Sequence, residues 1–184
     1  MRRLLVALAL VVALGQTTLP VTANVGPGGA ATLQTGGSFN APIGFQIFCL
    51  TNASQCRGGG SSAVALTEDV LNTLELTNRH VNRAIRPTAD RGDVWELGVT
   101  RGDCEDYVLA KRAELIRAGI PGAALRIAAA KTSGGVGHAV LIVRTDQGDL
   151  VLDNLTSTIK FVNQSNLRWV AMTTANGRAW QRIG

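Results

Sequence analysis

The chain has 184 residues, 46% of them apolar and 17% charged, with a formal net charge of +5. That composition supports a buried core in one domain of ordinary size and excludes disorder along the whole length. The cations are scattered and the chain has one tyrosine and few other aromatics, so it offers neither a phosphate-tracking stripe nor a base-stacking surface, and nucleic acid is excluded as a partner.

Met1-Arg2-Arg3 precedes an unbroken apolar run from Leu4 to Leu14, and Val21-Thr22-Ala23 supplies small residues for cleavage before Asn24. The pattern is that of a secretory signal peptide over residues 1–23, followed by a mature domain over 24–184. The run is too short to cross a hydrocarbon core of about 30 Å as a helix, so no membrane span is expected after cleavage. Loss of Arg2 and Arg3 with the leader lowers the net charge from +5 to +3.

Residues 24–45 are rich in glycine and small polar residues and read as an extended or poorly ordered lead-in. Phe45 to Leu50 alternates loosely and reads as a strand or extended segment, and Gly58-Gly59-Gly60-Ser61-Ser62 as a flexible stretch. From Thr67 the period becomes helical. Thr67 caps, Glu68 and Asp69 suit the positive first turn, Val70, Leu74, Val81 and Ile85 recur at helical spacing, and Pro87 ends the helix. A second helix is predicted from Asp103 to Ala118, stopped by Gly119 and Pro121. Strands follow over 124–130, 138–144 and 149–155, with two more over 158–162 and 167–172. Helices first and an antiparallel sheet afterwards define an α+β domain.

Three cysteines in an exported chain leave one unpaired when a disulfide forms. Cys49 and Cys56 are the natural pair, closing a short loop that an oxidising compartment would preserve. Cys104 is then the free thiol, set between Asp103 and Glu105-Asp106 at the start of the second helix. Unpaired backbone N–H groups at a helix N-terminus favour a thiolate and can hold an oxyanion. Carboxylates beside the sulfur oppose ionisation unless something positive offsets them, and a divalent cation with hard oxygen ligands, calcium above all, would do so. The alternative is that Asp103 caps the helix while Glu105 and Asp106 complement its dipole.

If the second hairpin turns between Asp146 and Gln147, Asp153 lies across from Val140 and diagonally from His138 on one face of the sheet. Asp153 would then orient the imidazole, and His138 would take the thiol proton and return it to a leaving amine. His80, inside the first helix, competes for the base role but has no strand carboxylate to orient it. Two distant histidines give no zinc spacing, and the glycine clusters lack the lysine and following helix of a phosphate loop.

Gly102-Asp103-Cys104-Glu105-Asp106-Tyr107, Gly137-His138-Ala139-Val140-Leu141 and Val151-Leu152-Asp153-Asn154 resemble the bacterial transglutaminase-like cysteine peptidases, the family that contains the periplasmic LapG proteases. The resemblance extends to Phe48-Cys49 with Cys56, to the helix containing Val81-Asn82, and to Trp95. It implies a papain-like, transglutaminase-type α+β fold with helices packed on an antiparallel sheet. It also implies Cys104 as nucleophile, His138 as base, Asp153 as orienting residue, and calcium at Asp103 and Glu105. The physiology it implies is periplasmic cleavage of a large surface adhesin that holds cells in a biofilm, restrained by an inner-membrane receptor for cyclic di-GMP. Transfer to an amine acceptor, as in transglutaminases, and a non-catalytic peptide-binding module are the competing readings.

Overall fold

The computed structural model describes residues 31–89 and 92–184, so the leader over 1–23 lies outside the described residues. In chain order the elements are strand β1 (Thr35–Phe39), helix α1 (Ile43–Thr51), helix α2 (Glu68–Ala84), strands β2 (Arg86–Pro87) and β3 (Arg101–Gly102), helix α3 (Cys104–Arg117), and strands β4 (Leu125–Lys131), β5 (Gly137–Thr145), β6 (Gly148–Leu152), β7 (Lys160–Phe161), β8 (Arg168–Thr173) and β9 (Trp180–Ile183). Seven strands form one antiparallel sheet in the order β1-β9-β8-β4-β5-β6-β7, and β2 and β3 form a separate parallel pair. This is the expected α+β architecture.

Both faces of the central strands are covered. Leu125, Ile127, Leu141, Val143, Leu150 and Leu152 pack with Phe45, Phe48, Leu74, Val108 and Leu115 of the helices. The intervening residues Ala128, Val140, Ile142 and Val151 close against Leu33, Val162 and Met172. Strands buried on both faces need apolar residues at every position, which is why β5 and β6 read as continuous apolar runs rather than alternating ones.

Both long helices begin as expected. Thr67 Oγ1 accepts the Val70 N–H at 3.2 Å, and Asp103 occupies the N-cap position of α3. Gly119, with φ +92°, ends α3 in the left-handed region that glycine alone enters without strain. The β5–β6 hairpin has the expected register. Thr145 pairs with Gly148 and Leu141 with Leu152, which places the turn at Asp146-Gln147.

Five local expectations are corrected. Phe45 to Leu50 is not extended but lies in α1: Phe45, Phe48 and Cys49 are buried while Ile47 and Leu50 are exposed, the spacing of a helix face. The lead-in contains an edge strand, β1, paired with β9, a strand the sequence did not announce. Gly58 to Ser62 is not a loose linker. The Gly58 N–H donates to Asn176 O at 2.7 Å, Gly59 O accepts from Ala123 N–H at 3.1 Å, and a Cβ on Gly58 would overlap the Ala175 carbonyl. These glycines permit close backbone contact. Finally, β6 stops at Leu152 rather than Leu155, and the strand expected over 158–162 is the two-residue β7 followed by a 3-10 turn over Val162–Gln164.

Candidate active site

The start of α3 is built by its own acidic residues. The Asp106 carboxylate accepts the Asp103 N–H at 3.2 Å, as in a capping box, and the Glu96 N–H at 2.8 Å. A Cβ on Gly102 would run into that carboxylate, which accounts for the glycine at this place in the motif. Trp95, beside Glu96, donates to Asp93 Oδ1 at 2.7 Å and packs edge-on against Phe45, with ring centroids 5.3 Å apart. Tyr107 is buried and donates its hydroxyl to Ile85 O at 2.7 Å, tying α3 to the end of α2. The first turn of α3 is thereby fixed from both sides.

Cys104 opens that turn as the free cysteine, partly exposed. The backbone N–H of Ala139, the residue after His138 on β5, favours the ionised form of its thiol. The thiol donates to Glu105 Oε2 at 3.2 Å. Burial, with that hydrogen bond and the charges of Glu105 and Asp103, pushes the thiol up to about 12 against the opposing Ala139 N–H. Burial and the neighbouring Asp103 raise Glu105 to about 7.

His138 and Asp153 are brought together as the hairpin register requires. Continuing the β5–β6 pairing one residue beyond Leu152 sets Asp153 opposite Val140. Its Oδ1 accepts from His138 Nε2 at 2.8 Å and from the Leu155 N–H at 3.0 Å, and both side chains are buried. Burial alone would raise the Asp153 carboxyl. The His138 and Leu155 hydrogen bonds, with the charges of His138 and Lys111, hold it below the ordinary range instead. With Asp153 ionised, Nε2 carries the donated proton and Nδ1 is left as the basic nitrogen. His80 stands apart, two-thirds exposed and paired with Glu114 at 3.2 Å.

The sequence did not reveal what holds Asp153. Asn82 Nδ2 donates to Asp153 O at 2.9 Å, and Asn78 Nδ2 to Ser157 O at 3.1 Å, so α2 grips the segment that follows β6. The i, i+4 pair of asparagines on one helix face was the available signal. A cleft of about 200 Å³ opens beside Asp153, walled by Thr132, Ser133, Leu155, Thr156 and Asn166 among others.

Ligand atoms of Asp103, Cys104 and Glu105 lie within 4.8 Å of one another. Asp103 Oδ1 is buried without a hydrogen-bond partner. Two carboxylates this close repel unless a proton or a cation lies between them, and an orphaned carboxylate oxygen is a donor awaiting one. The pair therefore fits a hard divalent cation.

A peptidase of the cysteine class, on a transglutaminase-type fold, is what these features define. The chain belongs to the bacterial transglutaminase-like cysteine proteinases, a family matched over residues 35–184. The fold is similar to that of LapG from Legionella pneumophila: the calcium-bound form is 24% identical, with a TM-score of 0.55, covering 79% of this chain and 84% of that one. The EGTA-treated form is also 24% identical, with a TM-score of 0.56 and 77% coverage of each chain. No curated protein matches the chain.

Proposed function

We propose that the protein is a calcium-dependent cysteine endopeptidase acting through Cys104, His138 and Asp153. The observation that carries the reading is the 2.8 Å bond from His138 to Asp153, with a free cysteine at the start of α3, the helix that packs on β5. Hydrolysis is preferred over amine transfer because the family is one of proteinases.

In this mechanism His138 Nδ1 takes the Cys104 proton and the sulfur attacks the peptide carbonyl. The carbonyl oxygen becomes an oxyanion facing the free N–H groups at the start of α3. As the tetrahedral adduct collapses, the imidazolium protonates the departing amine and leaves a thioester on Cys104. His138 then takes a proton from water, the resulting hydroxide attacks the thioester, and the proton returns to the Cys104 sulfur. Throughout, Asp153 holds the ring and stabilises its charged form. Asp103 and Glu105 would hold calcium, which supplies positive charge against the carboxylates that otherwise suppress the thiolate. The calcium-bound state of LapG supports that assignment.

The family resemblance supports a periplasmic setting after removal of residues 1–23. It also supports a protein substrate of the large-adhesin class, cut near its N-terminus at an alanine-rich site, and restraint by a cyclic di-GMP-responsive inner-membrane receptor. Among the described residues no helix is long and apolar enough to cross a membrane. The test is to incubate residues 24–184 and their Cys104→Ala form with surface-protein fragments from the same cell, with calcium or with chelator. Cleavage by the parent in calcium alone is expected. Equal cleavage by both forms would sink the enzyme reading, and cleavage indifferent to chelator would remove calcium from it.

A further inference from the structure

Helix α3 buries two adjacent cations, and they are treated differently. Arg112 is 3% exposed and donates to the carbonyl oxygens of Gln55, Arg57, Gly122 and Leu125, so it is a structural clamp between α3 and the segment around the disulfide. Lys111 is 0% exposed, and its Nζ has no hydrogen-bond partner at all. A buried ammonium without compensation is costly enough that a lysine serving only to fill space would be better replaced by methionine. The Tyr107 ring, with its centroid 6.0 Å from Nζ, lies at the limit of a cation–π interaction and offsets little of that cost.

The position of Lys111 supplies a reason. It lies seven residues after Cys104, two helical turns along the same face of a helix that packs on β5. Of the charged groups, Asp153 is the one whose charge favours its protonated form, and the Lys111 charge in turn favours ionised Asp153. Tyr107 on its own helix faces Lys111, the charge of Asp153 beyond β6 acts on it, and Asp153 is in turn bonded to His138 on β5. The packed helix α2 supplies the neutral amides of Asn78 and Asn82 to the Asp153 segment, and each of those amides has a buried, unpartnered Oδ1.

Resting on the triad assigned above, we propose that Lys111 is a positioning residue of the site, the buried counter-charge that holds Asp153 ionised and aimed at His138. The group that acts on substrate through this arrangement is His138. Lys111 touches none of the reacting atoms.

The test compares the parent, Lys111→Met, Lys111→Arg and Cys104→Ala on one cleavable protein fragment in calcium. Lys111→Met keeps the volume and removes the charge. The expected result is a kcat about 10- to 30-fold lower with KM little changed, the effect of losing one charge at several ångströms in a partly polarisable interior. Lys111→Arg is expected to recover most of that loss. Burial lowers Lys111 to about 7, so its charge is lost as pH rises through that value. The alkaline limb of the kcat profile should therefore move to higher pH in Lys111→Arg, whose guanidinium stays charged. A folded Lys111→Met with parental kcat overturns the proposal, as does a Lys111→Arg profile with an unmoved alkaline limb. The latter also decides the matter if Lys111→Met does not fold. Activity retained in Cys104→Ala would instead fail the triad reading itself, whatever the lysine variants do.

Discussion

At the scale of single residues, the hexapeptide 102–107 distributes its acids among separate tasks. Asp106 binds backbone N–H groups and is spent on structure, whereas Asp103 and Glu105 lie close to the sulfur and one Asp103 oxygen is buried without a partner. Glu105 is raised from 4.5 to about 7 by burial and Asp103. A group raised on folding contributes stability that is complete below its unfolded value and is lost as pH rises through its folded one. The chelated protein should therefore lose stability between those two values, and Glu105→Gln should flatten the loss, both read from Tm against pH. Calcium needs the deprotonated carboxylate, so its addition should raise Tm more at about pH 8 than at about pH 5.5. A calcium shift independent of pH, or one unchanged in Asp103→Asn, would detach the ion from this pair. The place of Cys104 at a helix start and the pairing of His138 with Asp153 were legible because chemistry-bearing residue types are few and their order is informative. Lys111, Asn78 and Asn82 were not, since a lysine or asparagine in a helical pattern reads as solvated until burial is known.

At the scale of elements, helix α3 is a carrier held at several points. Tyr107 anchors its first turn to the end of α2, and Arg112 anchors its third to the segment around the disulfide. Tyr107→Phe should cost about 1–2 kcal/mol in urea unfolding, because the buried Ile85 carbonyl loses its side-chain donor. A variant of parental stability would show that this tie contributes nothing. The long helices were legible through Thr67, Asp103, Gly119 and their apolar spacing, and the register of β5 on β6 through a two-residue turn. Helix α1 was missed because a six-residue apolar window reads equally as strand or as one face of a short helix. Strand β9 was missed because Trp180-Gln181-Arg182-Ile183 is short and pairs with an edge strand from the far end of the chain.

At the scale of the whole molecule, the sheet is sandwiched between the helices and the segments carrying Leu33 and Val162, and its central hairpin presents His138 and Asp153 at one end. The Cys49–Cys56 disulfide, expected from cysteine count and export, lies on the helical side and is separate from Cys104. Replacing both cysteines by alanine should lower stability by about 2–4 kcal/mol while leaving kcat near parental, measured by urea unfolding and cleavage assay. Loss of kcat in a folded double variant would tie the disulfide to the site. The fold class followed from element order alone, whereas the covered second face of the sheet depended on segments whose polar sequences give no sign of what they pack against.

The central claim is that one thiol, one imidazole and one carboxylate act together. It is tested most directly by comparing cleavage of a single protein substrate in calcium by the parent and by the Cys104→Ala, His138→Ala and Asp153→Asn variants, each shown to be folded. The account predicts no turnover from the first two and a fall of about 10⁴-fold in kcat from the third. Cleavage by Cys104→Ala at the parental rate would contradict it.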